Sequence, residues 1–187
     1  SASDPQFIAV QRMSQINQFY PKGHPNYSPN YDEQVEMIKA VSVDKLRAYH
    51  KSFYGISDNA SLVAIGTMDA GMVKAFFESN FADFKCDKPF AEIKDPYHNN
   101  IAANENLITP DKKNAFTIGM LALEVTETDK DNAALQVAGT IFGGGFLNSR
   151  VATRLRQQDG VSYGAGAQVS LDSSPDDKNS SLIIYAI

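Results

Sequence analysis

Apolar side chains recur at helical spacing through the first half of the chain. Asp4 can cap a helix that has Pro5 at its first position, where the missing N–H costs nothing. A short helix is predicted over 32–40, and Ser42 caps another in which Leu46, Tyr49, His50 and Phe53 share one face. Gly55 fits the position just past the end of that helix.

Asp69 caps a further helix, whose apolar face would consist of Val73, Phe76, Phe77 and Phe81.

Short apolar runs bounded by turn-forming residues predict strands. They lie at 62–65, 101–109, 115–123 and 161–171, and a last strand-like run occupies 181–187. The second and third of these are joined by a turn with Pro110 early in it. Helices are predicted from Asp129 or Asp131 to the Gly143–Gly145 run, and over 148–158 up to Gly160.

Strands that can pair as hairpins, mixed with helices, indicate an α+β fold. We expect a mostly antiparallel sheet with helices packed on one face. The chain has 187 residues, which suits a single domain over 1–187. Because the apolar run 181–187 has no closing turn, we expect a fold truncated at its C-terminal end, as a fragment of a longer protein.

Composition narrows the function classes. The net charge is −5, and no dense cluster of Lys and Arg is present, so the sequence predicts no nucleic-acid interface. No run of about 18 apolar residues exists in the sequence, so no membrane span is expected. Hydrophobic residues make up 43% of the chain, which is typical of a globular protein with a packed core.

Metal ligation is tested by the spacing of the ligand residues. His24, His50 and His98 are far apart in sequence, and neither His-Glu-x-x-His nor its inverted form His-x-x-Glu-His occurs. We expect a core position for His50 and solvent exposure for the other two histidines. Cys86 is the only cysteine and is expected to be an incidental loop thiol. The chain is therefore predicted to bind no metal or other cofactor.

The remaining motifs give no complete active site. Gly143–Gly145 follows a helix and lacks the Lys-Ser/Thr of a phosphate loop, so it is interpreted as a tight turn or a close approach of another segment. No Gly-x-Ser-x-Gly nucleophile motif occurs. Asp172, Asp176 and Asp177 are expected to form a solvated loop.

The segment 131–163 has a familiar order of features. It contains a helix, the Gly143–Gly145 turn, Asn148-Ser149-Arg150, and then Leu155-Arg156-Gln157-Gln158-Asp159-Gly160-Val161-Ser162-Tyr163. This order resembles the second domain of the insulinase/pitrilysin family of zinc metallopeptidases, the inverted-motif group that includes mitochondrial processing peptidase. Gln157 stands where the family usually has Glu, and Val161 where it has Leu.

The resemblance implies a division of labour between two domains. In that family a first domain carries His-x-x-Glu-His and binds zinc, and the metal-free second domain closes over it to form a substrate chamber. By the motif match, Tyr163 would donate its phenolic O–H to the developing oxyanion and Arg156 would position the peptide backbone. The chain alone would be inactive, and its partners would be a zinc-bearing peptidase domain, on the same or another chain, and a peptide substrate.

The residues themselves allow other roles. Arg156 lies in the last turn of its predicted helix, where any cation is favoured. Tyr163 is one of the apolar odd positions of the 161–171 strand, which predicts a buried structural tyrosine, although the start of a strand can also line a cavity edge. Two alternative functions therefore stay open: a catalytically inactive, peptidase-like structural or interaction domain, and an unrelated ligand-binding α+β domain.

Overall fold

The computed structural model describes residues 3–56, 61–145 and 147–187. The chain divides into two compact units. The first unit contains the residues up to Tyr31 together with Lys94–Ile187, and the second contains Asp32–Ile93. The sequence predicts a single domain over 1–187, and the division into two compact units leaves this as a prediction.

Six α-helices and three β-strands make up the regular structure of the described residues. The helices are α1 (Pro5–Ile16), α2 (Tyr31–Lys39), α3 (Val43–Phe53), α4 (Ala70–Phe81), α5 (Asn132–Gly139) and α6 (Arg150–Ala152). Two of them continue as π-helical segments, α5 into Thr140–Gly144 and α6 into Thr153–Gln158. The strands are β1 (Thr117–Glu124), β2 (Ala165–Ser170) and β3 (Asn179–Ala186).

Three helices begin at the capping residues that the sequence predicts. Asp4 accepts a hydrogen bond from the Phe7 amide at 2.9 Å. Ser42 accepts one from the Lys45 amide at 3.2 Å, and Asp69 one from the Met72 amide at 2.8 Å. Each side chain satisfies one of the amides that a helix leaves without an intrahelical partner, and the predicted starts of α1, α3 and α4 are confirmed.

The three strands form one antiparallel sheet in the order β1-β3-β2. Thr117 of β1 and Ala165 of β2 both pair with Ala186 of β3, one on each side. The predicted strands at 115–123, 161–171 and 181–187 are thus confirmed, with shifted ends. The predicted α+β class with a mostly antiparallel sheet is confirmed as well.

The helices after β1 pack against β2 through residues without bulk. Gly143 lies so close to β2 that a Cβ built on it would stand 2.1 Å from the Ala167 amide nitrogen. One turn earlier, a Cβ on Gly139 would stand 2.8 Å from a methyl of Val169. Ala152, Ala165 and Ala167 are the buried apolar residues among those described. The Gly143–Gly145 run therefore lets the helix pack closely against β2 and also forms a turn.

Two predicted strands are wrong. The run 62–65 is not a strand in the second unit, and Ile65 is 93% exposed. Among the described residues all three strands belong to the first unit, so this run has no strand to pair with. The run 101–109 has no regular secondary structure, although the predicted turn beyond it is present, with Lys112 donating to the Thr109 carbonyl at 3.0 Å.

In the second unit, the segment after α4 returns to the C-terminal end of α3. Ile56 donates its amide to the Phe84 carbonyl at 2.7 Å, and Lys88 donates its amide to the Ser52 carbonyl at 3.1 Å. Gly55 lies beneath this crossing, because a Cβ there would stand 2.2 Å from the Cys86 amide nitrogen. Gly55 thus follows the helix as predicted, but close approach of the returning chain, not a left-handed helix cap, requires a glycine.

Candidate functional site

Arg156 and Tyr163 come from two consecutive segments joined by a tight turn. Arg156 lies in the π-helical segment that continues α6, and Tyr163 lies two residues before β2 begins. Between them, Gly160 adopts a φ of 64°, in the left-handed region that favours glycine. This residue ends the helical segment, as predicted, and turns the chain toward the sheet.

Backbone hydrogen bonds fix the turn between the two residues. Val161 and Ser162 both donate their amides to the Leu155 carbonyl, at 3.0 and 3.3 Å. The Arg154 guanidinium pairs with the Asp159 carboxylate at 2.9 Å, across the end of the helical segment. The residues on both sides of Gly160 are therefore held to the helix, which limits how far Arg156 and Tyr163 can separate.

The Arg156 guanidinium lies over the face of the Tyr163 ring. Its central carbon is 4.6 Å from the ring centroid, within the range of a cation–π contact. Arg156 is half-buried, and its Nη1 atom is buried completely. Tyr163 is 76% exposed. The prediction that Tyr163 belongs to the buried set is wrong. Because β2 starts only at Ala165, Tyr163 lies outside the paired strand and does not follow its alternation of faces.

The backbone on both sides of Tyr163 is anchored to Ile187, the residue after β3. Ser162 is buried, and its hydroxyl lies 3.0 Å from the Gly164 carbonyl and 2.8 Å from the Ile187 carbonyl. Ile187 returns its amide to the Gly164 carbonyl at 2.8 Å. The phenol is thus presented to solvent from a backbone that is tied to the sheet.

A side chain also ties the helical segment to the turn before α6. Gln157 donates its amide to the Leu147 carbonyl at 2.8 Å. Ser149, which is 1% exposed, caps α6 by accepting from the Ala152 amide at 3.2 Å. These two bonds hold the helical segment that carries Arg156 against the turn from which α6 starts.

This arrangement supplies hydrogen-bond donors and no nucleophile. Tyr163 offers a phenolic O–H, and Arg156 offers guanidinium N–H groups that suit carbonyl or carboxylate oxygens. The pair can therefore bind an oxygen atom on which negative charge develops, provided another group supplies the attacking nucleophile.

The residues described do not fit a metal site. No group of three or more His, Cys, Asp and Glu side chains comes together in the described part of the chain. The histidines stack on aromatic rings instead: His24 on Tyr20 at 4.3 Å, His98 on Phe19 at 4.3 Å, and His50 on Tyr54 at 4.9 Å between ring centroids. Contrary to expectation, His50 is exposed, and His24 and His98 are half-buried.

Sequence reasoning missed a polar cluster in the first unit. Tyr20 donates its hydroxyl to the Asp95 carboxylate at 2.6 Å. Burial, and then this hydrogen bond to Asp95, raise the pKa of Tyr20 above its ordinary value. Asp177, expected in a solvated loop, is buried, and its carboxylate accepts from the Asp95 amide at 3.1 Å. These residues are far apart in sequence and follow no local pattern, so only the fold brings them together.

Comparison with known proteins points in one direction. A family model described as the peptidase M16 inactive domain matches residues 40–187. A solved structure, the crystal structure of a peptidase M16 inactive domain from Pseudomonas fluorescens, superposes with a TM-score of 0.72 at 20% sequence identity. The match covers 98% of this chain and 42% of that chain, so this chain spans less than half of its length. No curated protein matches the sequence.

No helix among the described residues is both long enough and apolar enough to cross a membrane.

Proposed function

This chain belongs to the family of peptidase M16 inactive domains, and from this membership we propose that it is the metal-free lobe of a two-lobed zinc endopeptidase. In this role it closes the substrate chamber over the zinc-bearing lobe. It also contributes two side chains, Arg156 and Tyr163, to the binding of the peptide at the bond that is cleaved. The chain by itself does not hydrolyse peptides.

The observation that carries this proposal is the contact between Arg156 and Tyr163. Tyr163 is 76% exposed and has a guanidinium 4.6 Å from its ring, so its hydroxyl is accessible to a group outside its own fold. As the carbonyl oxygen of the substrate gains negative charge, the Tyr163 O–H donates to it. A single well-placed donor of this kind contributes about 3–4 kcal/mol, or about 10²–10³ in rate.

Arg156 has two tasks in this proposal. Its guanidinium holds the Tyr163 ring in one orientation, so that the phenol is already aligned when the substrate arrives. Its N–H groups also bind a backbone carbonyl of the peptide and so fix the substrate in register. The half-buried position of Arg156 strengthens both interactions, because solvent screens them less.

The metal chemistry belongs to the partner lobe. The described residues offer no ligand cluster for zinc, so the activated water and its general base come from a zinc-bearing peptidase domain on the same or another chain. The partners of this chain are thus that domain and a peptide substrate.

The experiment is reconstitution. The zinc-bearing peptidase domain that partners this chain, from the same polypeptide or from another one, is purified alone, and cleavage of a fluorogenic peptide library is measured with and without this chain. We expect cleavage only when both domains are present. Saturable binding of the two domains without any cleavage, with zinc bound and the library broad, would reject the enzyme part and select the inactive structural domain.

A further inference from the structure

Ser162 connects the two segments that carry Arg156 and Tyr163. Its backbone amide donates to the Leu155 carbonyl at 3.3 Å, which ties it to the helical segment. Its side-chain hydroxyl donates to the Ile187 carbonyl at 2.8 Å, which ties it to the residue after β3. Ser162 is 7% exposed, so water competes little for either bond. One buried residue therefore joins the helical segment to the sheet.

The Ser162 hydroxyl extends the attachment between β2 and β3 beyond their ends. The last regular pair of the two strands is Ala165 with Ala186. Beyond it, Ile187 donates its amide to the Gly164 carbonyl at 2.8 Å. Two hydrogen bonds join such a pair in a regular antiparallel ladder, and here the Ser162 hydroxyl makes the second bond to the Ile187 carbonyl. The chain that leads into β2 is thus fastened where regular pairing ends.

The placement of the Tyr163 hydroxyl depends on this backbone. The side chain is 76% exposed, and the Arg156 guanidinium contacts one face of its ring. The phenolic oxygen stands at the end of a long side chain, so a small rotation of the Tyr163 backbone displaces it by a larger distance. A displacement of about 1 Å in a catalytic group can cost about 10²-fold in rate.

We propose that Ser162 is a positioning residue for peptide hydrolysis and acts through Tyr163. Its hydroxyl holds the backbone that directs the phenol toward the oxygen of the cleaved bond. Because its side chain is buried and already bonded to the Ile187 carbonyl, Ser162 does not itself contact the peptide. This inference rests on the proposed function, and the experiments below distinguish its failure from that of the proposed function.

Ser180 provides a matched control at the other end of β3. It is 1% exposed, and its hydroxyl also makes two hydrogen bonds. It donates to the Val125 carbonyl at 2.6 Å and accepts from the Asp172 amide at 2.8 Å. At about 3.3 Å per residue, the strand separates Ser180 from Ile187 by about 23 Å. Loss of the Ser180 hydroxyl should therefore weaken the fold without reaching the phenol.

Steady-state kinetics of the reconstituted two-lobed enzyme tests the proposal. Ser162→Ala should lower kcat about tenfold with little change in KM, because the phenol is misplaced when the oxyanion forms. Ser180→Ala should leave kcat within about twofold of the natural chain. Both variants should lower the urea midpoint of the chain by a similar amount, since each leaves a buried carbonyl without its donor. Equal kcat values for the two variants would overturn the proposal.

A double-mutant cycle shows whether Ser162 acts through the phenol. In a Tyr163→Phe background, Ser162→Ala should lower kcat no further, because the hydroxyl that it positions is already absent. A full tenfold loss in that background would assign Ser162 to the fold alone and overturn the proposal. A Tyr163→Phe variant with unchanged kcat would reject the proposed function. A loss with Tyr163→Phe but none with Ser162→Ala would reject only the present inference.

NMR of the whole chain gives a readout that does not depend on activity. The Tyr163 ring current shifts the resonances of Arg156 side-chain protons that lie over its face. We expect Ser162→Ala to move these resonances toward the values of an unstructured arginine and Ser180→Ala to leave them in place. Identical shifts in the natural chain and in both variants would contradict a positioning role for Ser162.

Discussion

The guanidinium carbon of Arg156 lies 4.6 Å from the centre of the Tyr163 ring. A π-helical segment ends between the two residues, and a glycine with a φ of 64° reverses the chain. The contact is therefore local in sequence, while its support comes from distant residues, since the Ser162 hydroxyl reaches the Ile187 carbonyl at 2.8 Å. Such support anchors the backbone that carries the exposed Tyr163 side chain.

Removal of the Tyr163 hydroxyl tests its role directly. In the reconstituted enzyme, Tyr163→Phe should lower kcat by about 10²–10³ with little change in KM, because the hydroxyl acts only as the oxyanion forms. Tyr185→Phe, at another exposed tyrosine of the same unit, is the control and should leave kcat unchanged. Steady-state kinetics measures both, and an unaltered kcat for Tyr163→Phe would reject the oxyanion role.

Arg156 can be separated from its neighbour Arg154. Arg156→Gln removes the charge above the Tyr163 ring and a donor to the peptide, so both a lower kcat and a higher KM are expected. Arg154→Gln breaks only the ion pair with Asp159 and should change neither constant by more than about twofold, because an exposed pair contributes about 0–1 kcal/mol. Similar losses in the two variants would show that Arg156 acts through general electrostatics alone.

Gly143 should tolerate no side chain. Gly143→Ala places a methyl group against the Ala167 backbone, and we expect a loss of about 1–3 kcal/mol in the free energy of unfolding. Gly144→Ala is the control, since its Cβ would meet the nearest atom, the Gly139 carbonyl oxygen, at an ordinary 3.4 Å. Urea denaturation followed by circular dichroism compares them. Equal stability of the two variants would contradict the close approach.

Gln157 stands where the family pattern has a glutamate, and its amide donates to the Leu147 carbonyl. A carboxylate cannot donate a hydrogen bond, so Gln157→Glu should lower the free energy of unfolding by about 1 kcal/mol at pH 7. The loss should shrink near pH 4, where a glutamic acid carries a proton that it can donate. Denaturation curves at the two pH values measure this, and a loss independent of pH would argue against the hydrogen bond.

The raised pKa of Tyr20 makes stability depend on alkaline pH. Burial and the hydrogen bond to Asp95 favour the neutral phenol in the folded state. The contribution of Tyr20 is therefore complete below the ordinary tyrosine pKa of about 10, and it is lost as the pH rises through the higher folded value. Unfolding curves between pH 8 and pH 12 should fall more steeply for the natural chain than for Tyr20→Phe. Parallel curves would contradict the shift.

Local features of the fold could be predicted from the sequence. Asp4, Ser42 and Asp69 cap their helices because a short polar side chain accepts from an amide three residues away, which depends on nothing else in the molecule. Gly160 ends its helical segment as the sequence predicts, because its φ of 64° suits glycine and this requirement is also local. The order of motifs in 131–163 also identified the family, although no single motif in it is specific.

Pairing of strands could not be predicted in the same way. The runs 62–65 and 101–109 have the composition of strands, but whether they pair depends on the tertiary context, which composition does not determine. The exposure of Tyr163 was missed because the alternating pattern begins at Val161, whereas the ladder begins at Ala165. The cluster of Tyr20, Asp95 and Asp177 joins residues that only the completed fold makes neighbours.

The position of β3 has a consequence for biosynthesis. It is the central strand of the sheet and also the last element of the described chain, and both of its neighbours pair with it along their lengths. While the polypeptide is still being translated, β1 and β2 have left the ribosome without the strand that joins them. Sheet assembly must therefore wait for residues 179–186 to clear the exit tunnel, and a nascent chain stalled before that point would be a natural client for chaperones that shield apolar segments.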